Sequence, residues 1–401
     1  MANRIIYQSE ALYVSDEYDS YTTGKHAQLS RVQSANYSFT VPRTDVNQYG
    51  ELARIGTLNV ETPTVSVDLS YYLTNGFNEA ALGFFVETGT GSPLPESGLT
   101  GGFGNEHLLT DYGRNIYILT VPEGKDAVGN SGDITQGAII GIGNAFLSDY
   151  TLDLSVGSLP TVTASFEGQN IISTTSVETG TGVDGVVKIT GVSNAGIVPE
   201  SGTPLDAPKD YIELNIAESK TATDLDIPIA LRPGDIEIEF SKLSSGVSPL
   251  VCLTGATGAH VQSFSLSLPL SRTALEALGS RFAYARAVDF PVNATLSMNA
   301  LVNTQTVQSL TNLIDQTETL DITATIYDPS KTGVGGVKIP RMKYLFKGCQ
   351  LQDEAYSSSI GANKTVDLTF TTQIGGPSDT DNNILVSGSF TGQGAPFTGV
   401  S

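Results

Sequence analysis

The chain repeats one stretch of its own sequence, and this repeat limits the folds that it can adopt. Residues 32–50, VQSANYSFTVPRTDVNQYG, align without a gap with residues 261–279, VQSFSLSLPLSRTALEALG. Seven of the nineteen positions are identical, whereas ordinary residue usage gives roughly one by chance. A second pair of stretches, residues 155–166 and 359–370, ends in Phe166 and Phe370. Two matches in the same order predict a tandem duplication.

The repeated stretches alternate apolar and polar residues along the chain. In PTVSVDLSYYL, Val65 and Val67 lie on one side and the intervening Ser and Asp on the other. In the second repeated stretch, Val162 and Val366 occupy the same position. Alternation with a period of two is typical of a strand with one buried face. We therefore expect a chain that is mainly β.

A short helix is expected directly after the first repeated strand. In TALEALG, Thr273 is a candidate N-cap, Glu276 completes a capping box, and Gly279 is placed to end the helix. The first copy, TDVNQYG, keeps Thr44 and Gly50 in the same frame. Each copy is thus predicted to continue from strand to short helix to a terminating glycine.

The repeat divides the chain into four predicted parts. The first copy covers residues 1–170 and contains a long loop at about residues 76–113, rich in Gly and Pro between Glu87 and Gly104. Residues 171–229 form a connecting segment or arm of mixed strands and loops. The second copy covers residues 230–376. Residues 377–401, rich in Gly, Ser and Thr, are expected to be a loosely held C-terminal arm.

Composition argues against several functional classes. Asp and Glu number 42 against 21 Lys and Arg, so the net charge is −21. Such a surface repels nucleic acid and anionic lipid, because phosphate binding needs clustered cations. The sequence contains neither a secretory signal nor an apolar stretch long enough to span a membrane. Cys252 and Cys349 are expected in the core, in a chain that folds in a reducing cytoplasm.

No pattern in the sequence predicts catalysis, a cofactor or a metal site. The partial glycine pattern GIGNAF is not placed between a strand and a helix of a nucleotide-binding unit. Asp353 and Glu354 are expected at a solvated strand end rather than in a glycosidase pair. Three histidines lack a second ligand at metal-site spacing: His26, His107 and His260.

Arg43 and Arg272 occupy the same position in the two copies. One interpretation makes each a surface arginine at the start of a helix. The other has each guanidinium reach a carboxylate on a neighbouring subunit, since Arg favours bidentate pairing. Both alternatives stay open on the sequence.

The two-copy, acidic, β-rich chain resembles the tail tube (major tail) proteins of long-tailed bacteriophages. The stretches that carry the resemblance are VPRTDVNQYGELARIG, PTVSVDLSYYLTNG and LPTVTASFEGQNI. The resemblance implies two tandem homologous β-sandwich or barrel-like tail-tube domains, each with a short flanking α-helix. The chain is similar to the branch in which one chain carries two domains and three chains build each pseudo-hexameric ring.

The resemblance also implies a location and partners. Rings would stack into a tube in the virion, after assembly in the host cytoplasm, and viral DNA would pass through the lumen without specific binding. Neighbouring tail proteins (baseplate, terminator and, where present, sheath) would contact the tube, and no membrane would be involved. Alternatives are another tail or baseplate ring protein of the same fold, or a β-sandwich adhesion or decoration protein.

Two sets of residues are singled out for these roles. The strands that contain Val65, Val67, Val162 and Val366 are candidates for the inner wall of the tube. The repeat-equivalent positions are candidate assembly contacts: Arg43, Gly50, Arg272, Gly279, Phe166 and Phe370.

Overall fold

The computed structural model of this chain describes residues 10–16, 26–61, 63–88, 113–123, 127, 138–168, 170–174, 177–179, 186–190, 211–215, 236–241, 260–276, 278, 285–301, 319–332, 338–357, 365–376, 379 and 381–389. These residues form strands almost throughout, as the sequence predicted for a mainly β chain. In chain order, the elements are β1 (Glu10–Asp16), β2 (His26–Gln28), β3 (Val32–Thr40), β4 (Thr44–Val46), β5 (Gly56–Leu58), β6 (Thr64–Tyr72), α1 (Phe77–Leu82), β7 (Val86–Thr88), β8 (Arg114–Thr120), β9 (Ala138–Ser155), β10 (Thr161–Gly168), β11 (Asn170–Thr174), β12 (Val177–Thr179), β13 (Val186–Thr190), β14 (Tyr211–Asn215), β15 (Ile236–Ser241), β16 (His260–Pro269), β17 (Arg272–Leu275), β18 (Ala285–Val288), β19 (Val292–Leu301), β20 (Leu320–Thr332), β21 (Lys338–Ser357), β22 (Thr365–Ile374) and β23 (Ile384–Gly388).

Six strands from the first half of the chain and six from the second pair in the same order. The first array is β1-β8-β9-β10-β6-β3, and the second array is β15-β20-β21-β22-β19-β16. All neighbouring strands within both arrays are antiparallel. Each array has a β-bulge at the same step of its last ladder, within residues 32–34 and 261–263. The two halves of the sequence thus follow the same strand order and register.

The two arrays join edge to edge in one long sheet. The C-terminal part of β9 pairs with β10 on one side and with β16 of the second array on the other. The long sheet runs in the order β3, β6, β10, β9, β16, β19, β22 and the C-terminal part of β21. The N-terminal parts of β9 and β21 pair elsewhere, with β8 and β20 respectively.

Both arrays contribute to a single hydrophobic core. The rings of Phe264 in β16 and Phe346 in β21 are 5.8 Å apart, centroid to centroid. Tyr150 in the first array and Tyr344 in the second are fully buried, and their hydroxyl oxygens are hydrogen-bonded at 3.0 Å. A buried hydroxyl needs such a partner, since leaving it unpaired is costly. The polar contact therefore ties the two arrays together inside the core.

The predicted long loop at residues 76–113 is wrong at its beginning. Residues Phe77–Leu82 form α1, between Gly76 and Gly83, which both have positive φ (91° and 111°). The Asn75 side chain accepts the backbone N–H of Phe77 at 3.3 Å. Strand β7 follows, and residues 89–112, which include most of the Gly/Pro-rich part, lie outside the described residues. A helix of six residues is too short for its period to show in the sequence.

The predicted helices after the repeated strands are also wrong. Residues Thr44–Val46 pair with β5, and Arg272–Leu275 pair with β18, so each position holds an antiparallel hairpin. Hydrogen bonds of the hairpin replace those of a helical turn, and the Thr273 hydroxyl donates to Asp289 at 2.8 Å instead of capping a helix. A capping box is a local pattern, and long-range pairing overrides it here.

Part of the expected loose C-terminal arm is buried. Residues Ile384–Gly388 form β23, which pairs antiparallel with β21 and parallel with β7 of the first half. Ile384, Leu385 and Val386 are all buried, because this apolar run is hidden from water only when it joins the sheet. Residues Ile384–Gly388 therefore belong to the sheet and not to a loosely held arm. Residues 390–401 lie outside the described residues.

The connecting segment at residues 171–229 contains strands, as expected. Strand β11 extends the edge of the N-terminal part of β9. Strands β12, β13 and β14 form a separate antiparallel sheet of three strands. Its role as a connecting segment or arm stays a prediction.

Candidate functional site: one polar sheet face between two free edges

One face of the long sheet is polar and acidic, while the other packs on the core. The same pattern occurs in three of its strands: Ser or Thr, an apolar residue, Asp, an apolar residue, then Ser or Thr. It occurs in residues 66–70 of β6, 151–155 of β9 and 365–369 of β22. The apolar members are buried, so the Asp side chains stand on the opposite face. We call this opposite face the polar face.

The strands of the polar face supply carboxylates but no cationic side chains. Across the eight strand segments of the long sheet, no position holds Lys or Arg. The carboxylates on the polar face are Asp68, Asp149, Asp153, Asp353, Asp367 and, at one end, Glu167. With a net charge of −21 in the whole chain, this face presents a negative potential to anything that approaches it.

Neutral hydroxyl and amide groups hydrogen-bond across the strands of the polar face. Ser165 donates to Asp68 at 2.7 Å, and Asn299 donates to Asp367 at 2.5 Å. Ser38 and Ser66 share a hydrogen bond at 2.7 Å between β3 and β6. These hydrogen-bond partners are uncharged, so they position the carboxylates without neutralising their negative charge.

The long sheet ends in two free edges. Among the described residues, β3 pairs only with β6, and the segment Asp353–Ser357 of β21 pairs only with β22. Exposed aromatic side chains lie on both edges: Tyr37 is 42% and Phe39 62% exposed on β3, and Tyr356 is 53% exposed on β21. Edge strands with unpaired backbone groups and apolar side chains favour pairing with another strand.

Where the two arrays meet, the β17–β18 hairpin from the second half of the chain contacts the first array. Arg272 at the start of β17 donates from Nε to the carbonyl oxygen of Leu147 at 3.3 Å. Its guanidinium lies over the ring of Phe146, 5.1 Å from the centroid. Arg286 in β18 forms an ion pair with Glu167 at the end of β10. The contacts of this hairpin therefore stabilise the joint between β9 and β16.

A buried carboxyl group lies beside the tyrosines that join the arrays. Glu79 of α1 is fully buried and accepts a hydrogen bond from the Tyr71 hydroxyl at 2.9 Å. Burial raises the pKa of Glu79 to about 7, against the effect of hydrogen bonds that include those from Tyr71 and Tyr150. Burial also raises the pKa of Tyr150 and of Tyr344 well above the usual value.

The predicted inner-wall residues lie on the core side of the long sheet. Val65 and Val67 in β6, Val162 in β10 and Val366 in β22 are buried. Their strands belong to the long sheet, so the other side chains of the same strands form the polar face. Whether that face lines a channel stays a prediction.

The repeat-equivalent residues occupy several environments. Phe166 and Phe370 are buried at matching positions of β10 and β22. Gly50 lies in an exposed turn with a φ of 96°, and Gly279 lies outside the described residues. Arg272 starts a strand rather than a helix and donates to the carbonyl oxygens of Leu147 and Arg286, and the expected contact with a carboxylate of a neighbouring subunit stays a prediction. Arg43 is exposed just before β4, and its role in assembly is untested.

Some residues of this site were not singled out from the sequence. The polar face was detectable, because the pattern of apolar residues around Asp recurs at Asp68, Asp153 and Asp367. The edge aromatics Tyr37 and Tyr356 were not, because nothing local distinguishes an edge strand from an internal one.

The carboxylate of Asp379 is held by backbone donors that are close to it in sequence. The Asp379 carboxylate accepts backbone N–H groups of Gly375, Asp381 and Asn382. These hydrogen bonds, led by the one from Asn382, lower the pKa of Asp379. Across the described ranges, no group of three His, Cys, Asp or Glu side chains is placed to hold a metal ion.

Within the part of the chain that the structure describes, no helix combines the length and apolar character required to cross a membrane. No family model matches the sequence, and a search of curated proteins found no significant match.

Proposed function

We propose that this chain is a structural virion protein of a long-tailed bacteriophage that forms the tail tube. In this proposal, each half of the chain is one tube domain, three chains form a pseudo-hexameric ring, and rings stack around the channel for DNA ejection. The chain has no catalytic role and needs no cofactor. The observation that carries the proposal is the long sheet, in which two arrays of equal register are already joined edge to edge.

The joint between β9 and β16 supports self-association. Because the arrays share strand order and register, the same joint can be made again between chains, from the free β3 edge to the free β21 edge. The two edges are different surfaces, so association runs head to tail and closes as a ring if the rotation per chain permits. Because each chain would supply two domains, three chains would fill the six positions of a ring.

The polar face supports a role as the wall of a channel through which DNA passes. A sheet that continues around a ring would present one face inward, and the other face is already committed to the core. A lumen wall whose strands supply carboxylates and no Lys or Arg would repel phosphate. At physiological ionic strength this repulsion extends about 8 Å, so it would prevent sticking rather than drive transport.

Electron microscopy and native mass spectrometry of the purified full chain test the proposal. We expect hollow rings or tubes in negative stain, and a mass of three chains for isolated rings. Rings of six chains, or compact particles that do not assemble at high concentration, would overturn it. Rings that never stack would favour a baseplate ring of the same fold. Solid fibres that bind glycans would favour an adhesion or decoration protein.

A further inference from the structure

The joint inside the chain provides a template for a contact between chains. In that joint, β16 pairs with β9 so that Leu266 lies opposite Leu152, and Ser267 opposite Thr151. Strand β3 occupies in the first array the place that β16 occupies in the second. Likewise, the C-terminal part of β21 occupies the place of the C-terminal part of β9. Both partners of the joint therefore have an equivalent that, among the described strands, has a neighbour on one side only.

The strand pairings that both arrays share show which residues of the two free edges correspond to those of the internal joint. Thr161 lies opposite Asp153 in the first array, and Thr365 lies opposite Ser357 in the second. Asp153 and Ser357 are therefore equivalent, and the residues preceding them align one by one. The gapless alignment of residues 32–50 with residues 261–279 likewise places Tyr37 at the position of Leu266.

We propose that the β3 edge of one chain pairs antiparallel with Asp353–Ser357 of a second copy of this chain, in the register that β16 has on β9. This inference rests on the self-association proposed above and assigns its contact residues. The expected opposite pairs are Asn36 with Ser357, Tyr37 with Tyr356, Ser38 with Ala355, Phe39 with Glu354, and Thr40 with Asp353.

Exposure of the side chains supports this partner. Leu266 and Leu268 are 1% and 0% exposed, whereas their equivalents Tyr37 and Phe39 are 42% and 62% exposed. Tyr37 is placed opposite Tyr356, which is 53% exposed on the other free edge. Pairing would cover these aromatic rings on both edges at once, as expected for matched halves of an interface.

Backbone hydrogen bonds point in the required direction. The N–H of Leu73, just after β6, donates to Pro160 O at 3.0 Å, so odd-numbered residues of β6 bond toward β10 and even-numbered ones toward β3. Asn36 and Ser38 lie opposite even-numbered residues of β6. The N–H and C=O groups of Tyr37 and Phe39 therefore face the free edge. These are the groups that the new ladder needs.

The β4–β5 hairpin, which follows β3 in the chain, would extend the contact. Arg272 binds the Leu147 carbonyl at the internal joint, and the equivalent pair between chains is Arg43 with Leu351. The equivalents of Arg286 and Glu167 are Thr57 and Thr371, so the ion pair of the internal joint has no counterpart there. The contact between chains would keep the guanidinium-to-carbonyl bond without that ion pair.

Cysteine cross-linking of the full chain tests the register. Ser38 and Ala355 are exposed and would form a non-hydrogen-bonded pair, where Cα atoms lie about 4.5 Å apart, within disulfide range. The variant Ser38→Cys with Ala355→Cys, in a Cys252→Ser background, should form covalent dimers and trimers under mild oxidation. Each single variant should stay monomeric under denaturing, non-reducing conditions.

Two controls make the result specific. Thr151→Cys with Ser267→Cys places the same pair at the internal joint and should form a disulfide within one chain. Ser38→Cys with Tyr356→Cys shifts the register by one residue, which puts the thiols on opposite faces, so it should not cross-link. The proposal is overturned if Ser38→Cys with Ala355→Cys cross-links no better than the shifted pair while the internal pair forms.

The outcomes separate this contact from the proposed function. Hollow rings without covalent dimers and trimers would keep the tube proposal and reject this interface. Covalent dimers and trimers from a protein that never forms hollow rings would keep the interface and reject the tube.

Discussion

At the scale of single residues, Glu79 links the stability of the chain to pH. Its pKa is about 7 in the folded chain against an ordinary value of 4.5, because burial disfavours the charged form. The folded chain therefore holds this proton more tightly than the unfolded chain. For this group, the free energy of unfolding is highest below pH 4.5, falls as the pH rises to about 7, and is constant above that.

The first prediction is that Glu79→Gln removes this part of the pH dependence. The pKa difference corresponds to a loss on the order of 3 kcal/mol across the window. The amide keeps an acceptor oxygen for Tyr71 and has no proton to release. Urea unfolding of the dissociated chain at about pH 5 and about pH 8 measures the effect. Glu51→Gln, at an exposed position, is the matched control and should leave the slope unchanged. An unchanged slope in Glu79→Gln would contradict the assignment.

A second prediction compares the two equivalent arginines. Arg272→Ala removes contacts with a carbonyl and an aromatic ring within the chain, so it should lower the free energy of unfolding by about 2 kcal/mol. Arg43→Ala removes an exposed side chain, so it should change that free energy by less than about 0.5 kcal/mol and instead weaken self-association. Denaturant unfolding and sedimentation velocity measure the two effects. Equal destabilisation by both variants would contradict the distinction between an internal joint and one between chains.

At the scale of elements, β3 and β6 differ in their need for backbone donors. Strand β6 is paired on both sides, whereas β3 has a neighbour on one side only among the strands that the structure describes. The N–H of Val67 bonds within the ladder to β10, and that of Tyr37 points to the free edge. Proline lacks this donor and is tolerated in strands only where the N–H is not needed by the ladder.

The third prediction follows from this difference. Val67→Pro should unfold the first array, at a cost of about 3 kcal/mol or more, and thereby prevent assembly indirectly. Tyr37→Pro should leave circular dichroism and the thermal midpoint nearly unchanged but abolish rings. Normal rings from Tyr37→Pro would show that β3 is not an assembly edge. A loss of folding in both variants would contradict the assignment of hydrogen-bond directions.

The strands themselves were largely predictable from the sequence. The alternation around Val65 and Val67 reports that one face is buried, and the repeat predicted matching strands at Phe166 and Phe370. The same alternation could not show which strand is an edge. Tyr37 and Leu266 occupy equivalent positions in similar patterns, yet within the described part of the chain only Leu266 has a neighbouring strand on both sides. Edges are set by pairing between residues distant in sequence, which a local pattern does not encode.

The errors have physical causes of the same kind. The capping box at Thr273 is a valid local helix pattern, but pairing with β18 gives its backbone other partners. The helix α1 was missed because six residues span fewer than two turns. Strand β23 was missed because its short apolar run, Ile384–Val386, lies among Gly, Ser and Asn and is stabilised by β7 and β21.

At the scale of the whole molecule, the polar face predicts how an assembled tube treats DNA. Asp153 is an exposed carboxylate of this face in the middle of the long sheet. The fourth prediction is that tubes of Asp153→Lys retain short double-stranded DNA at low salt and release it as salt increases. Tubes of the unmodified chain should not retain it.

The neutral variant Asp153→Asn separates charge from shape. It keeps the size of the side chain, so its tubes should still fail to retain DNA if the remaining carboxylates suffice. Co-sedimentation of DNA with assembled tubes is the measurement. DNA that binds equally to all three tubes, or to none, would argue that this face does not line the channel.

The two unlike edges of the long sheet have a genetic consequence. A chain whose β3 edge is blocked, such as Tyr37→Pro, keeps its β21 edge and still enters an assembly, where it leaves one joint open. The allele should therefore be dominant negative rather than simply inactive. If blocked and normal chains mix equally and at random in rings of three, roughly one ring in eight contains no blocked chain. Co-expression should thus reduce the yield of intact tubes far below one half, and a yield near one half would mean that blocked chains are excluded.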